Sequence, residues 1–372
     1  MRLRHHIDQP FTMPDICHDQ VYQAVHADDF ESMIAVTRYG KRTSQFDGLI
    51  ARTDEHFWDP RDPHYIDYAV AFDLHTDPVF PFALFPEFRS PLITALDGPT
   101  RVALANENAR WMVSSILHGE QAALTICSQL CNRLVDPGAQ EYAANQAREE
   151  ARHVAAFSRY IATRWGTPCA VGPALGGLLR DLVQTPDIFR KLVGMQILVE
   201  GLAMGLFAVL YATTGDPLLK RITQLVLTDE AFHHKFGKTW AEKTIPLASI
   251  SEHAEVEDWA ARCFESLYRN LNHIGQRQDI YARFGIDYTA VLASLEDVPA
   301  ADDGNIFRAL AGNLVRANIV TARTRHRYAR WLDASAPPPD ADRLDMVGAL
   351  IAAQGAALLK EVQQQRHGER RH

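Results

Sequence analysis

One unit occurs twice in this 372-residue chain, and the two copies are in register. Glu120 precedes Asp136-Pro137 and then Glu150-Ala151-Arg152-His153. Glu200 precedes Asp216-Pro217 and then Glu230-Ala231-Phe232-His233. Each position of the second copy lies 80 residues after its counterpart. A repeat that aligns both its turn and its polar positions restricts the fold to two equivalent helical hairpins.

The local signals agree with that restriction. Asp-Pro reads as an N-cap followed by the first helical residue. From about Thr100 the apolar period is helical. A first long helix is expected from Pro99 to Leu134. A second starts at Pro137 and ends at Gly166, and a short connector covers Leu175 to Val183. A third runs from Ile188 to Thr213 and is closed by Gly215; a fourth starts at Pro217 and stops at Pro246. The expected fold is all-α, a four-helix bundle with one crossover over residues 96–248. Residues 1–95, rich in Pro, Asp and His, are expected to form an irregular N-terminal segment packed on that core. Residues 249–372 are expected to add helices near Glu255–Ala282, Asn305–Leu332 and Asp342–Gln365, then a frayed tail. A homodimer contact is one possible use of them.

Helix geometry puts the repeated polar residues at one height. Glu120 lies 16 residues before Asp136 and Glu150 lies 14 after it. At 1.5 Å per residue, both sit roughly 21–24 Å from the turn. The same holds for Glu200 and Glu230 about Asp216. In each E-x-x-H the i,i+3 spacing sets both groups on one face. Met195, Ile197, Leu198, Val199, Leu202 and Phe207 surround Glu200 and mark the layer as core. An uncompensated carboxylate there costs several kcal/mol or stays protonated, and a dication removes that cost.

A single E-x-x-H is ordinarily a solvated surface pair. Two of them, with two preceding Glu and two aligned caps, point to two metal ions. The candidate ligands are Glu120, Glu150, His153, Glu200, Glu230 and His233. Oxygen and imidazole donors suit iron or manganese, and no Cys is expected at ligand height, which disfavours a thiolate zinc site. His234 points about 100° away from His233 and is not an expected ligand. Glu149 and Asp229 stand just before the motif glutamates. A metal-bound imidazole usually donates its second N–H to a carboxylate. The expected pairing is crosswise, Glu149 with His233 and Asp229 with His153. The competing expectation for Glu149 is a solvated position beside Arg148 and Arg152. Ala123, Leu124, Gly201, Ala203 and Met204 are candidates for the wall of a substrate pocket.

Composition removes some functions. The net charge of −8 and pI near 6.0 disfavour a nucleic-acid partner. The five Cys include no C-x-x-C pair, so no disulfide framework is expected and a cytoplasmic location fits. No membrane span is expected, because Gln196 and Glu200 interrupt the most apolar stretch, Val193 to Thr213. The N-terminus lacks the basic-then-apolar pattern of a secretory signal.

The pattern E…E-x-x-H…E…E-x-x-H resembles the ferritin-like diiron-carboxylate superfamily over about Thr100 to Pro246. With Glu149 and Asp229 ahead of the motifs, it looks most like the dioxygen-activating branch. No subfamily is matched in full. Phe157 stands where reductase subunits carry a radical Tyr. Met204 stands where multicomponent monooxygenases carry a Thr, and Val226 where arylamine N-oxygenases carry a further His. The resemblance implies two Fe ions, with a mixed Mn/Fe pair left open, and O2 as co-substrate. It implies oxygenation of a small, partly apolar or aromatic substrate, with desaturation or N-oxygenation as the alternative and a ferroxidase or iron-storage role behind them. No flavin or iron–sulfur motif is present, so an external ferredoxin or reductase is the expected electron donor.

Overall fold

A computed structural model describes residues 24–27, 29–272, 274–295 and 304–332, and parts of 354–364. These residues are helical or irregular, and no strand occurs among them. Seven helices matter for the site. They are α1 (Asp47–Glu55), α2 (Gly98–Cys131), α3 (Pro137–Trp165), α4 (Pro173–Gln184), α5 (Ile188–Thr213), α6 (Pro217–Thr244) and α7 (Ile250–Asn272).

The caps form where the sequence puts them. Asp136 accepts a hydrogen bond from Gly138 N at 2.9 Å, and Asp216 from Leu218 N at 2.9 Å. Gly166 ends α3 at φ 83°, in a region that L side chains avoid. The α2 helix packs mainly on α3 and α5 mainly on α6, and α3 meets α6 between the two pairs. The buried face of α3 runs through Tyr142, Gln146, Glu150, His153, Phe157 and Tyr160, at steps of three and four.

Two hydrophobic clusters lie on either side of the repeated polar residues. One joins the end of α2, the start of α3, the start of α5 and the end of α6 (Leu130, Tyr142, Met195, Phe236). The other joins the opposite halves of the same helices (Trp111, Phe157, Phe207, Leu219). The two Asp-Pro turns therefore sit at opposite ends of the helical core.

Residues 29–97 are mostly irregular, yet their interior is dry: Trp58, Val79 and Phe80 are fully buried. Buried loop backbone needs partners. Asn106 of α2 supplies several, donating to Leu74 O (2.8 Å) and Asp77 O (3.0 Å) and accepting from Val79 N (2.8 Å).

Two expected helix extents need revision, and so does the composition argument against a membrane span, though a buried core helix has the same character. α5 is long and apolar enough, by length and composition, to cross a membrane; its best 18-residue window has a mean hydropathy of 1.9 and is 67% buried in this fold. Gln196 and Glu200 do not break that window. The helix expected over Asn305–Leu332 ends at Arg316, where Asn318 takes φ 55° and turns the chain. The helix expected over Glu255–Ala282 ends at Asn272, and Gln278–Arg283 forms a separate short one. Residues 1–23 and most of Asp342–Gln365 lie outside the described residues.

Candidate metal centre

The six candidate ligands converge between the two hydrophobic clusters. Glu150, His153, Glu230 and His233 are fully buried, and Glu120 and Glu200 nearly so. Their donor atoms form two groups, each within 4.8 Å: Glu120, Glu150, His153 and Glu230, and Glu150, Glu200, Glu230 and His233. Glu150 and Glu230 belong to both. Glu150 Oε2 is 3.2 Å from His153 Nδ1 and its Oε1 is 3.0 Å from His233 Nδ1. Glu230 spans the same rings, at 3.1 Å to each. Both imidazoles thus turn Nδ1 inward.

The Nε2 atoms point outward and cross between hairpins. His153 Nε2 is 3.0 Å from Asp229 Oδ2, and His233 Nε2 is 2.9 Å from Glu149 Oε2. Glu149 is completely buried, not solvated. Arg152, beside it, is buried too and lies between both outer carboxylates, 3.4 Å from Glu149 and 3.3 Å from Asp229. Arg152, named from sequence only as a neighbour of Glu149, thus offsets part of the charge of both outer carboxylates.

Asp229 gathers further partners. Trp58 Nε1 donates to Asp229 Oδ2 at 2.8 Å, and the Trp58 ring stacks over His153 with centroids 6.0 Å apart. His56 lies 3.9 Å from Asp229 Oδ1. Burial would raise the Asp229 pKa, but Arg152, His153 and His56 hold it down at about 2. Glu149 is raised by burial and by Asp229.

The inner layer divides its charge. Burial and the neighbouring Glu230 raise Glu120 and Glu200 well above the usual carboxylate range. In Glu150 and Glu230 burial is outweighed by the imidazoles, chiefly His233, and both fall, Glu230 to about 2. Burial lowers both histidines, but the surrounding carboxylates outweigh it and raise them.

A second polar shell lies on the opposite side. Gln146 Nε2 donates to Glu150 Oε1 (3.1 Å) and Glu200 Oε1 (3.4 Å). Gln196 Nε2 donates to Cys127 Sγ at 3.6 Å. The Cys127 thiol is pushed up by burial and by Glu150 and Glu200, so a cysteine does stand near the layer, though in neither donor group. Cys127 follows Glu120 by seven residues, two turns along one face. The segment Leu192–Val199, just before Glu200, is π-helical. Gly237 allows its close approach: a Cβ there would come 2.7 Å from Gln196 Cβ and 2.9 Å from Gln196 O.

An apolar cleft, partly open to solvent, reaches Glu120 and Glu200 from the side of α4 and α7. Its walls include Trp111, Ile116, Ala123, Leu202, Ala203 and Phe207. Of the five expected wall residues, Ala123 and Ala203 line it; Leu124, Gly201 and Met204 do not. Each of these three is one residue from a lining position, hence rotated by about 100°. Gly201 instead faces Leu310 and His234.

Trp58, His56, Arg152 and Gln146 were not singled out as site residues from sequence. From sequence, Phe57-Trp58-Asp59-Pro60 belongs only to the irregular N-terminal segment and reads as a partly buried loop. Gln146, four residues before Glu150, could have been found by extending the ligand stripe one turn. No protein-family model, no curated protein and no solved structure matches the chain.

Proposed function

We propose that this protein is a ferritin-like non-haem diiron oxygenase, using O2 to oxygenate a small, partly apolar or aromatic substrate. The observation that carries this reading is the pair of four-donor groups sharing Glu150 and Glu230. The donor set fits two iron ions: every ligand atom is oxygen or imidazole nitrogen, and Glu150 and Glu230 each offer oxygens to both groups. A mixed manganese–iron pair would use the same donors. When bound, the metal pair supplies the redox chemistry that O2 activation needs.

The chain supplies the rest. Asp229 and Glu149 hold the imidazole rings by Nε2, leaving Nδ1 of each free to hold an ion if one binds. Arg152 balances the two outer carboxylates. The apolar cleft seats a substrate beside Glu120 and Glu200. That cleft favours an oxygenase over a ferroxidase, which needs no space for an organic molecule. Electrons come from an external ferredoxin or reductase.

The test is anaerobic loading with Fe(II), then rapid mixing with O2 while the visible spectrum is recorded, in wild type and Glu230→Ala. Uptake of about two irons per chain and a transient absorption band, both lost in the variant, are expected. Iron uptake without any O2 reaction would overturn the oxygenase reading.

A further inference from the structure

We infer that Asn270 is the polar anchor of the cleft and selects elongated apolar molecules carrying one hydrogen-bond donor, a hydroxyl, amine or amide N–H, at the end remote from the carboxylate layer. That these molecules are substrates rests on the oxygenase reading; that they bind there does not.

The cleft is lined almost wholly by apolar groups. Apart from Glu120, Glu200 and the Trp111 indole N–H, its polar side chains are Ser115 and Asn270. Ser115 is satisfied, because its hydroxyl donates to Trp111 O at 3.1 Å. Asn270, at the end of α7, is only 6% exposed, and its Oδ1 accepts no hydrogen bond. Buried polar atoms without a partner are rare in native proteins. Asn270 lines the cleft, so a donor seated there can satisfy this buried acceptor once the amide turns toward it.

The position of Asn270 is held from behind. Gln276 Nε2 donates to Asn270 O at 3.3 Å, and Gln276 Oε1 accepts from Ala174 N at 3.1 Å. Gly172 lets this brace close against the wall: a Cβ there would come 2.8 Å from Gln276 Oε1 and 3.5 Å from Trp111 Cζ2. Asn270 is thereby linked to the Trp111 end of the cleft. Trp111 precedes Glu120 by nine residues on α2, about 13 Å along the helix axis. A two-ring aryl compound is long enough to touch Asn270 and still bring a C–H bond toward Glu120 and Glu200. A fully apolar ligand of the same shape leaves Oδ1 unsatisfied, while a donor at its end pairs with it. The expected preference is about tenfold.

The probes are 4-phenylphenol, which can donate, and 4-methoxybiphenyl and biphenyl, which cannot. Their binding is measured by calorimetry on the full chain, loaded with Fe(II) and kept anaerobic, and again after chelation. In wild type, 4-phenylphenol should bind about tenfold tighter than the other two. Asn270→Leu should erase that preference while keeping biphenyl binding. Ala203→Phe, which fills the cleft, should weaken all three probes. A phenol preference that survives in Asn270→Leu overturns the inference, and so does probe binding that Ala203→Phe leaves unchanged. Neither readout involves O2, so a failed oxygenation test and a failed anchor are separate results.

Discussion

The two copies of the repeat carry the same ligands at the same spacing but are held differently. The cap of the second hairpin is tied to the first: Tyr160 Oη and Arg164 Nε reach Asp216 at 2.9 and 2.7 Å. The cap of the first is tied to the N-terminal segment, where Thr43 N and Oγ1 reach Asp136 at 3.1 and 2.5 Å. Asp229 in the second copy has Trp58, Arg152, His153 and His56 around it, whereas Glu149 in the first has His233 and Arg152. The helix before Glu200 is partly π-helical, while the one carrying Glu120 is α-helical throughout. A repeat can therefore duplicate a ligand set without duplicating its support. The support comes from whatever chain happens to pack outside each half.

The strongest break of this comparison is between shared and unshared ligands. Glu150→Ala and Glu230→Ala should each lose both irons, whereas Glu120→Ala or Glu200→Ala should keep about one per chain. Metal analysis after anaerobic loading reads the difference, and equal losses in all four variants would show that the two groups do not bind separately. Next is Arg152, which faces both outer carboxylates. Arg152→Leu should destabilise the metal-free protein by about 3 kcal/mol in urea unfolding, because it leaves buried charge uncompensated. A change within experimental error would mean that Glu149 and Asp229 share a proton instead.

The asymmetry of the outer carboxylates gives a smaller effect. Asp229→Asn should weaken iron binding on the order of tenfold or more, and Glu149→Gln by less. The comparison fails if Glu149→Gln is the more damaging. Tyr160→Phe should cost about 1 kcal/mol, since Arg164 still satisfies Asp216. The least effect lies outside both copies. Glu257 accepts from Thr321 Oγ1, Arg323 Nε and Thr324 Oγ1 at 2.5, 2.7 and 2.9 Å. Burial would raise it, but these partners lower it to about 2. Its contribution is present above the unfolded carboxylate pKa, about 4.3, and is lost as pH falls toward 2. Glu257→Gln should flatten acid unfolding in that window, and an unchanged profile would assign the acid sensitivity to the central layer.

Much of the centre was legible before any coordinates. The ligand stripe obeys helix periodicity, and the caps obey local backbone chemistry, so both follow from neighbours in sequence. Leu124, Gly201 and Met204 were misassigned for the opposite reason. Which side of α2 and α5 borders open space depends on where α4 and α7 settle, and no local period records that. Asn318 likewise ends a helix whose apolar spacing continues past it.

By itself the sequence determined the helices, their turns and the height of six polar groups, because these depend on residues a few positions apart. Only the tertiary structure decided that Trp58 lies 2.8 Å from Asp229, across 171 residues of chain, and that Arg152 turns inward between two carboxylates. Burying those carboxylates requires donors, and the donors come from whichever distant segments pack there. Their identity follows from the packing of the whole chain.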